Sequence, residues 1–460
     1  MIEIHTLTDF FNKDYIQYPN YVLTQRAIPS VIDGMKIVQR KIIAEARNSV
    51  TTDFIKAFQL VGRASDKMYY HHGDKSMADA IIGLAQTFYS NVPLLDKDGQ
   101  FGGIRHQVAG ESRYISVKLH SNFNKFFKDV DLLEYKYDNE NRIEPNTFYP
   151  VIPTILCNKS EGIAVGFNSY ILPRKVSNIV NLVKMCINND INDKTNLFTK
   201  RFIKLITPHF PENYNGKVEF DMHYHIHKKD FTDKWILYGN IIHVNKNIYV
   251  INELPPFTTF DDVNNTLTEL LNNKIIHDYT NNSSGNIIEI EIEFNSDIVN
   301  NYNLITDIYD KKYKFSLYKL LRLIETRVEY YNLIDENNEF IQFNDVFSIM
   351  RYFVNFRLGI YDKRKEFNIT KLSDKINNNN NLMRFIKLVK SNKIDLNSGE
   401  QSIIKKLDEN KLNHSLLDMP IRKLTLDNYK RMEQTNKDYK SEIKTMKNTP
   451  VKQMYLEDLK

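Results

Sequence analysis

Cysteine is nearly absent from this chain. Its 460 residues contain two cysteines, Cys157 and Cys186, too few for a disulfide framework, and no Cys/His spacing makes a zinc site. Both read as reduced, partly buried small residues. No apolar run approaches the roughly 20 residues of a membrane span. Residues 1–20 are acidic and aromatic rather than basic and then apolar, so they do not read as a signal peptide. A charge excess is missing too: 62 Lys and Arg against 57 Asp and Glu leave +5, too little to declare a polyanion partner. No internal repeat is present. The expectation is a soluble, cytoplasmic chain.

What is present is a hydrophobic fraction of 42%, enough for real cores in two to four domains. Short helical patterns alternate with glycine-containing turns from 20 to about 130. Met77, Ile81, Leu84, Ala85 and Phe88 form one apolar stripe, with Asp74 or Ser76 as the expected N-cap. An earlier helix is expected over Ile37 to Ala46, and two helices bracketing a turn suit a helix-turn-helix unit. From about 145 to 330, strand-like runs such as 218–222 and 248–251 are punctuated by Pro208, Gly216 and Pro255-Pro256. After Ile341 the pattern turns helical: Val346, Met350, Phe353, Ile360 and Phe367 keep a heptad-like phase, with Asn344 as a cap. A second helical stretch, about 403–438, is expected to return beside it. The asparagine run 377–381 reads as biased filler rather than a functional tract.

The basic residues are concentrated between Arg26 and Arg113 and near the C-terminus, a better sign of nucleic acid than the total. Six segments stand out. Arg26-Ala27-Ile28-Pro29 precedes Asp33-Gly34-Met35-Lys36 and Gln39-Arg40. Tyr70-His71-His72-Gly73-Asp74 and Asp98-Gly99-Gln100-Phe101-Gly102 follow. Then comes Ser112-Arg113-Tyr114-Ile115, a phenol directly after a guanidinium. Further on stand Ile152-Pro153-Thr154-Ile155-Leu156-Cys157-Asn158 and Glu161-Gly162-Ile163-Ala164-Val165-Gly166. In this order they resemble the motifs of the DNA-cleaving subunit of type IIA topoisomerases, nearer the eukaryotic and T-even phage members than bacterial gyrase. Ile37 departs from the family's usual proline. The segments Leu333 to Asn337, Phe356 to Leu358 and Leu417 to Thr425 resemble the two halves of that family's coiled-coil arm.

The resemblance implies an α+β multidomain protein. An N-terminal arm (1–20) is followed by a winged-helix, helix-turn-helix-type DNA-gate domain (21–140). An α/β tower (141–335) and a long antiparallel coiled-coil arm with its C-gate (336–460) complete it. Tyr114 becomes the nucleophile, with Arg113, Arg26 and His72 around the scissile phosphate and His71 supporting structure. Ile163 becomes a wedge between base pairs. Lys36, Arg40, Lys41 and Arg105 become contacts to the DNA backbone.

The family's acidic metal cluster and its nucleotide loop are not found in this sequence. Mg²⁺ and ATP are therefore expected on a partner subunit, with this chain a homodimer inside a heteromeric, ATP-dependent isomerase. Taken singly, Tyr114 is a packed strand tyrosine and Ile163 a buried turn residue. Two rivals are a non-catalytic DNA-bending protein on the same scaffold and a meiotic-type double-strand breaker. The histidines of 223–227 read as a solvated strand face with no assigned role.

Overall fold

The computed structural model describes residues 10–191, 195, 197–211, 214–227, 232–284, 287–298, 317–396, 398–417, 420 and 424–460. Residues 1–9 of the expected N-terminal arm lie outside these, as do 418–419 and 421–423 of the segment expected to begin the returning arm. Two compact units divide the chain, Met1–Asn355 and Phe356–Lys460.

In the first unit, after the helical segment 10–27, helix Ile37–Ser49 is buried on nearly every side from Arg40 to Ala46. The Gln39 side chain accepts from the Lys36 backbone N–H at 3.0 Å, closing a capping box that starts the helix at this point. Helices Ala57–Lys67 and Asp74–Ala85 follow. The middle one was not read from the sequence, so the expected pair is a triplet. Gly73 caps the last helix, and Asp74 is its first residue rather than its cap. There its carboxylate faces the positive end of the helix dipole. Met77, Ile81 and Ala85 are buried on this helix, with Phe88 buried just beyond it.

A small antiparallel sheet completes this part. Strand Ser116–Leu119 is central, between Ile55–Lys56 and Leu95–Asp98. A five-stranded antiparallel sheet then runs in the order Ser160–Ile163, Asn168–Ile171, Ile324–Tyr330, Thr232–Tyr238, Val218–Phe220. Its centre holds the buried set Arg174, Glu329, Trp235 and Tyr331, tied by Arg174–Glu329 at 2.5 Å and Trp235 Nε1–Glu329 at 2.7 Å. A four-stranded sheet, in the order Asn240–Asn245, Ile248–Glu253, Ile290–Phe294, Ile276–Asn281, packs on helix Phe260–Asn272 around Ile251, Leu267 and Ile292. Both cysteines are buried and free, and burial pushes each thiol up to about 12.

Helix Val346–Lys390 spans 45 residues, about 68 Å at 1.5 Å per residue. Asp345, not Asn344, caps it: its carboxylate accepts from Ser348 N at 2.7 Å and its N–H donates to Ser348 Oγ at 3.1 Å. Val346, Met350, Phe353 and Ile360 are buried, whereas Phe367 is exposed.

In the second unit the expected return helix is broken into Glu400–Glu409, a short turn His414–Leu416, and Leu426–Asn448. Lys411 takes a positive φ of 52°, ending the first piece. Leu407, Leu412 and Leu416 then fold onto Phe385 as a local core. The returning helix is held to the outgoing one through Asn436. Asn379 Nδ2 donates to Asn436 Oδ1 at 2.9 Å, and Asn436 Nδ2 donates to Asn380 Oδ1 at 3.0 Å.

Candidate functional site

An open cleft of about 780 Å³ is lined by Tyr21, Arg26, Lys36, His71, His72 and Ile163 among others. It joins four segments distant in sequence, and each is placed by local chemistry. The Asp33-Gly34 turn fixes Lys36. Gly34 has φ +68°, and a Cβ there would lie 2.7 Å from Ile155 N, so only glycine fits. Thr154 Oγ1 donates to the Asp33 carbonyl at 2.7 Å. Arg26 sits on the π-helical turn Leu23–Ala27, is exposed, and carries no ion pair among the described residues.

Burial lowers the Lys36 pKa; Glu161 opposes the shift and Lys159 adds to it. A cation short of water at a cleft wall gains from an anionic ligand. His72 follows Tyr69, whose φ is +49°, a left-handed bend after helix Ala57–Lys67 that turns 70–72 toward the cleft. His71 also lines the cleft and is exposed, rather than packing as a support.

Ile163 ends strand Ser160–Ile163 and is 76% exposed. The hairpin closes through Ala164 N to Phe167 O at 2.8 Å, with Gly166 at φ +80°. Gly162 packs so tightly that a Cβ would lie 2.2 Å from the Ala27 carbonyl. The residue before the exposed isoleucine therefore touches the backbone just after Arg26. Ile163 is no buried turn residue.

Tyr114 is 70% exposed, beside an equally outward Arg113. Its N–H closes a turn to Glu111 O at 2.8 Å, and its carbonyl accepts from Lys56 Nζ at 3.1 Å. The next residue, Ile115, is buried and serves as the anchor. Its methyl Cγ2 lies 3.3 Å from where a Cβ on Gly99 or Gly110 would stand, and Gly99 has φ +102°. The Asp-Gly-Gln-Phe-Gly motif thus forms the seat under Ile115, and the seat turns the phenol outward. Tyr114 does not line the cleft that holds Arg26 and His72.

Three expected backbone contacts are corrected. Arg40 is 5% exposed and grips Asp33 with two bonds, at 2.7 and 3.1 Å. Lys41 is buried against Glu144 at 2.6 Å and the Met68 carbonyl. Arg105 donates to the carbonyls of Leu254, Pro255 and Thr258 and to Glu253 at 3.0 Å. A cation buried against partners inside the protein is not presented to a phosphate.

The 223–227 histidines lie on helix Met222–His227, not on a strand. His223 and His227 stack at 4.4 Å, while His225 turns to Asp233 at 3.0 Å. Among the described residues no three His, Cys, Asp or Glu side chains converge on a point fit for a metal. Sequence reasoning missed Tyr21, whose hydroxyl lies 3.2 Å from His72 Nε2. Its one signal was its place on the helical segment that carries Arg26.

An outward phenol beside a guanidinium, a cleft lined by Arg26, Lys36 and His72, and a projecting isoleucine are exposed features of this unit. The family model for the A-type subunit of DNA gyrase/topoisomerase IV matches residues 26–460, and the chain belongs to that family. It is 27% identical over 461 residues to the DNA topoisomerase medium subunit of Enterobacteria phage T4, covering 98% of each. It is 28% identical over 415 residues to the mitochondrial DNA topoisomerase 2 of Dictyostelium discoideum, covering 88% of this chain and 30% of that one. It spans about a third of the first curated relatives it matches, 30% and 34% of their lengths. The crystal structure of the Plasmodium falciparum topoisomerase II DNA-binding, cleavage and re-ligation domain aligns with TM-score 0.81 and 27% identity, over 98% of this chain and 63% of that chain.

Proposed function

We propose that this chain is the DNA-cleaving and rejoining subunit of an ATP-dependent type IIA topoisomerase. The observation that carries the reading is the exposed Arg113-Tyr114 pair, seated by Ile115 at the entry to a central strand. In this reading the three helices and small sheet are a winged-helix-type DNA gate. The sheets that follow form the tower, and 336–460 the coiled-coil arm with its C-gate.

The chemistry is a reversible ester exchange. The Tyr114 phenol oxygen bonds to a backbone phosphorus, the 3′-oxygen leaves and takes up a proton, and a 5′-phosphotyrosine holds the end. Reversal rejoins the strand without an external energy source. A phenol of ordinary pKa near 10 is a weak nucleophile at neutral pH. Arg113 beside it stabilises both the phenolate and the charge growing on the phosphate. Arg26, Lys36 and His72 hold the backbone along the cleft. Because Tyr114 lies off that cleft, the duplex must run across both features.

Ile163 supplies an apolar wedge into the minor groove. Bending 20–30 bp costs about 1–10 kcal/mol, which phosphate contacts offset. By resemblance to the family, Mg²⁺ and ATP are assigned to a partner subunit, and no step here runs through them. Two copies of this chain make the two staggered cuts through which a second duplex passes.

The test is Tyr114→Phe in the full complex with Mg²⁺ and supercoiled plasmid, quenched with SDS. The expected result is unchanged DNA binding and no protein-linked linear DNA. An adduct formed by the phenylalanine variant would move the nucleophile elsewhere. Absence of an adduct from the unmodified chain would favour the architectural DNA-bending alternative.

A further inference from the structure

We propose that Tyr21 is a positioning residue: its hydroxyl fixes which face of the His72 imidazole meets the DNA phosphate. The inference deepens the cleavage reading above and rests on it. Tyr21 precedes the segment matched by the family model, which begins at residue 26, so that comparison gives it no role.

Tyr21 lies on helix Gln17–Val22, which runs directly into the π-helical turn bearing Arg26. Tyr21 stands in the last turn of the α-helix and Arg26 lies on the π-helical turn that continues it, and both line the same cleft. One short helical segment therefore brings a cation and a phenol to that cleft.

His72 needs such help. It stands in the loop before helix Asp74–Ala85 and is half-exposed. Two ring contacts hold it: the edge of Tyr70 at 5.3 Å between centroids, and the Tyr21 hydroxyl at 3.2 Å from Nε2. An imidazole turns about its χ2 torsion between two broad, near-equivalent orientations that exchange each ring nitrogen with a carbon. A ring edge hardly tells those orientations apart, whereas a hydroxyl does, because it bonds to a nitrogen and not to a carbon. Tyr21 thus holds Nε2 on its own hydroxyl and leaves Nδ1, the other ring nitrogen, to meet a phosphate oxygen. Positioning a group before its ligand arrives acts on the reacting complex more than on the encounter.

The test uses the full chain with its partner subunit. Tyr21→Phe, His72→Gln and the double variant are assayed for covalent cleavage of supercoiled plasmid over a range of DNA concentrations. One hydrogen bond of this kind supports an expected loss of about 3- to 10-fold in the cleavage rate at saturating DNA for Tyr21→Phe. The half-saturating DNA concentration should stay within about twofold, and the variant should cost nothing further in the His72→Gln background. Wild-type cleavage by Tyr21→Phe, an equal loss in both backgrounds, or a change in DNA affinity alone would overturn the proposal.

A second measurement needs no cleavage. With ¹³C-labelled histidine and no DNA, the ring signal of His72, assigned through His72→Gln, should move in Tyr21→Phe while the other histidines stay put. A His72 signal that does not move overturns the inference. Loss of the covalent adduct in the unmodified complex strikes the cleavage reading instead.

Discussion

Arg26 and Arg40 lie on either side of the same turn, and exchanging each for alanine should produce opposite phenotypes. Arg40→Ala removes both bonds to Asp33, leaving a fully buried carboxylate with only two backbone donors, Met35 N at 3.0 Å and Phe148 N at 3.1 Å. Breaking a buried pair in this way costs about 3–5 kcal/mol, a large part of the 5–15 kcal/mol typical of a whole domain. At a denaturant slope of about 3 kcal/mol per molar urea, the midpoint should fall by about 1 to 1.7 M. Arg26→Ala deletes an exposed cation without an ion partner among the described residues, so its midpoint should move by no more than about 0.5 kcal/mol equivalent. DNA affinity should show the reverse. The slope of log K against log salt should fall by about 0.9 for Arg26→Ala, one phosphate contact fewer, and stay unchanged for folded Arg40→Ala. The assays are urea denaturation followed by tryptophan fluorescence and fluorescence anisotropy of a labelled duplex between about 50 and 200 mM salt. An Arg40→Ala protein of wild-type stability with a flattened salt slope would refute the reading of Arg40 as a buried partner of Asp33.

Gly162→Ala should uncouple bending from folding. Its new methyl carbon meets the Ala27 carbonyl at 2.2 Å, and two backbones cannot give way as a flexible side chain would. Overpacking of this kind costs about 1–3 kcal/mol, and the hairpin that carries Ile163 must shift. Energy transfer between dyes at the duplex ends should report a smaller bend, and an unchanged bend counts against the wedge. Asp262 supplies a pH test. The Thr259 hydroxyl, then the Thr259 backbone N–H, hold its carboxyl below the usual aspartate value. A depressed folded value means stabilisation is present above the unfolded value near 4 and is lost as pH falls through the folded one. The gap in urea midpoint between wild type and Asp262→Asn should be present at about pH 6 and close below about pH 4. At this exposed cap it should stay under about 1 kcal/mol.

Much of the site was legible because its motifs are short and local. The glycines of the Asp-Gly and Asp-Gly-Gln-Phe-Gly segments mark turns that only glycine makes, and those turns aim Lys36 and Tyr114. What could not be read is long-range pairing. Whether an arginine faces solvent or a buried carboxylate depends on residues far away. Arg105 finds its carbonyl partners about 150 positions later, at Leu254 to Thr258, and Lys41 finds Glu144. A basic residue in a basic region carries no local sign of such a partner. Helix Ala57–Lys67 escaped notice because Gly62 and Ser65 inside it lower its helical propensity, and tertiary packing overrides that weakness. The return helix was drawn too long because Lys411 is not a residue whose identity announces a left-handed bend.

Asn379, Asn380 and Asn436 give the arm a property that no apolar seam would. Leucines slide past one another with small changes in energy, whereas a primary amide must find its complement at one height. Shifting the returning strand of the arm by a single turn would strand the nearly buried amide of Asn436, forfeiting both of its bonds at about 1–3 kcal/mol for each unmet group. A monotonous polar tract thereby becomes a ruler, and the two halves can zip together at one graduation only.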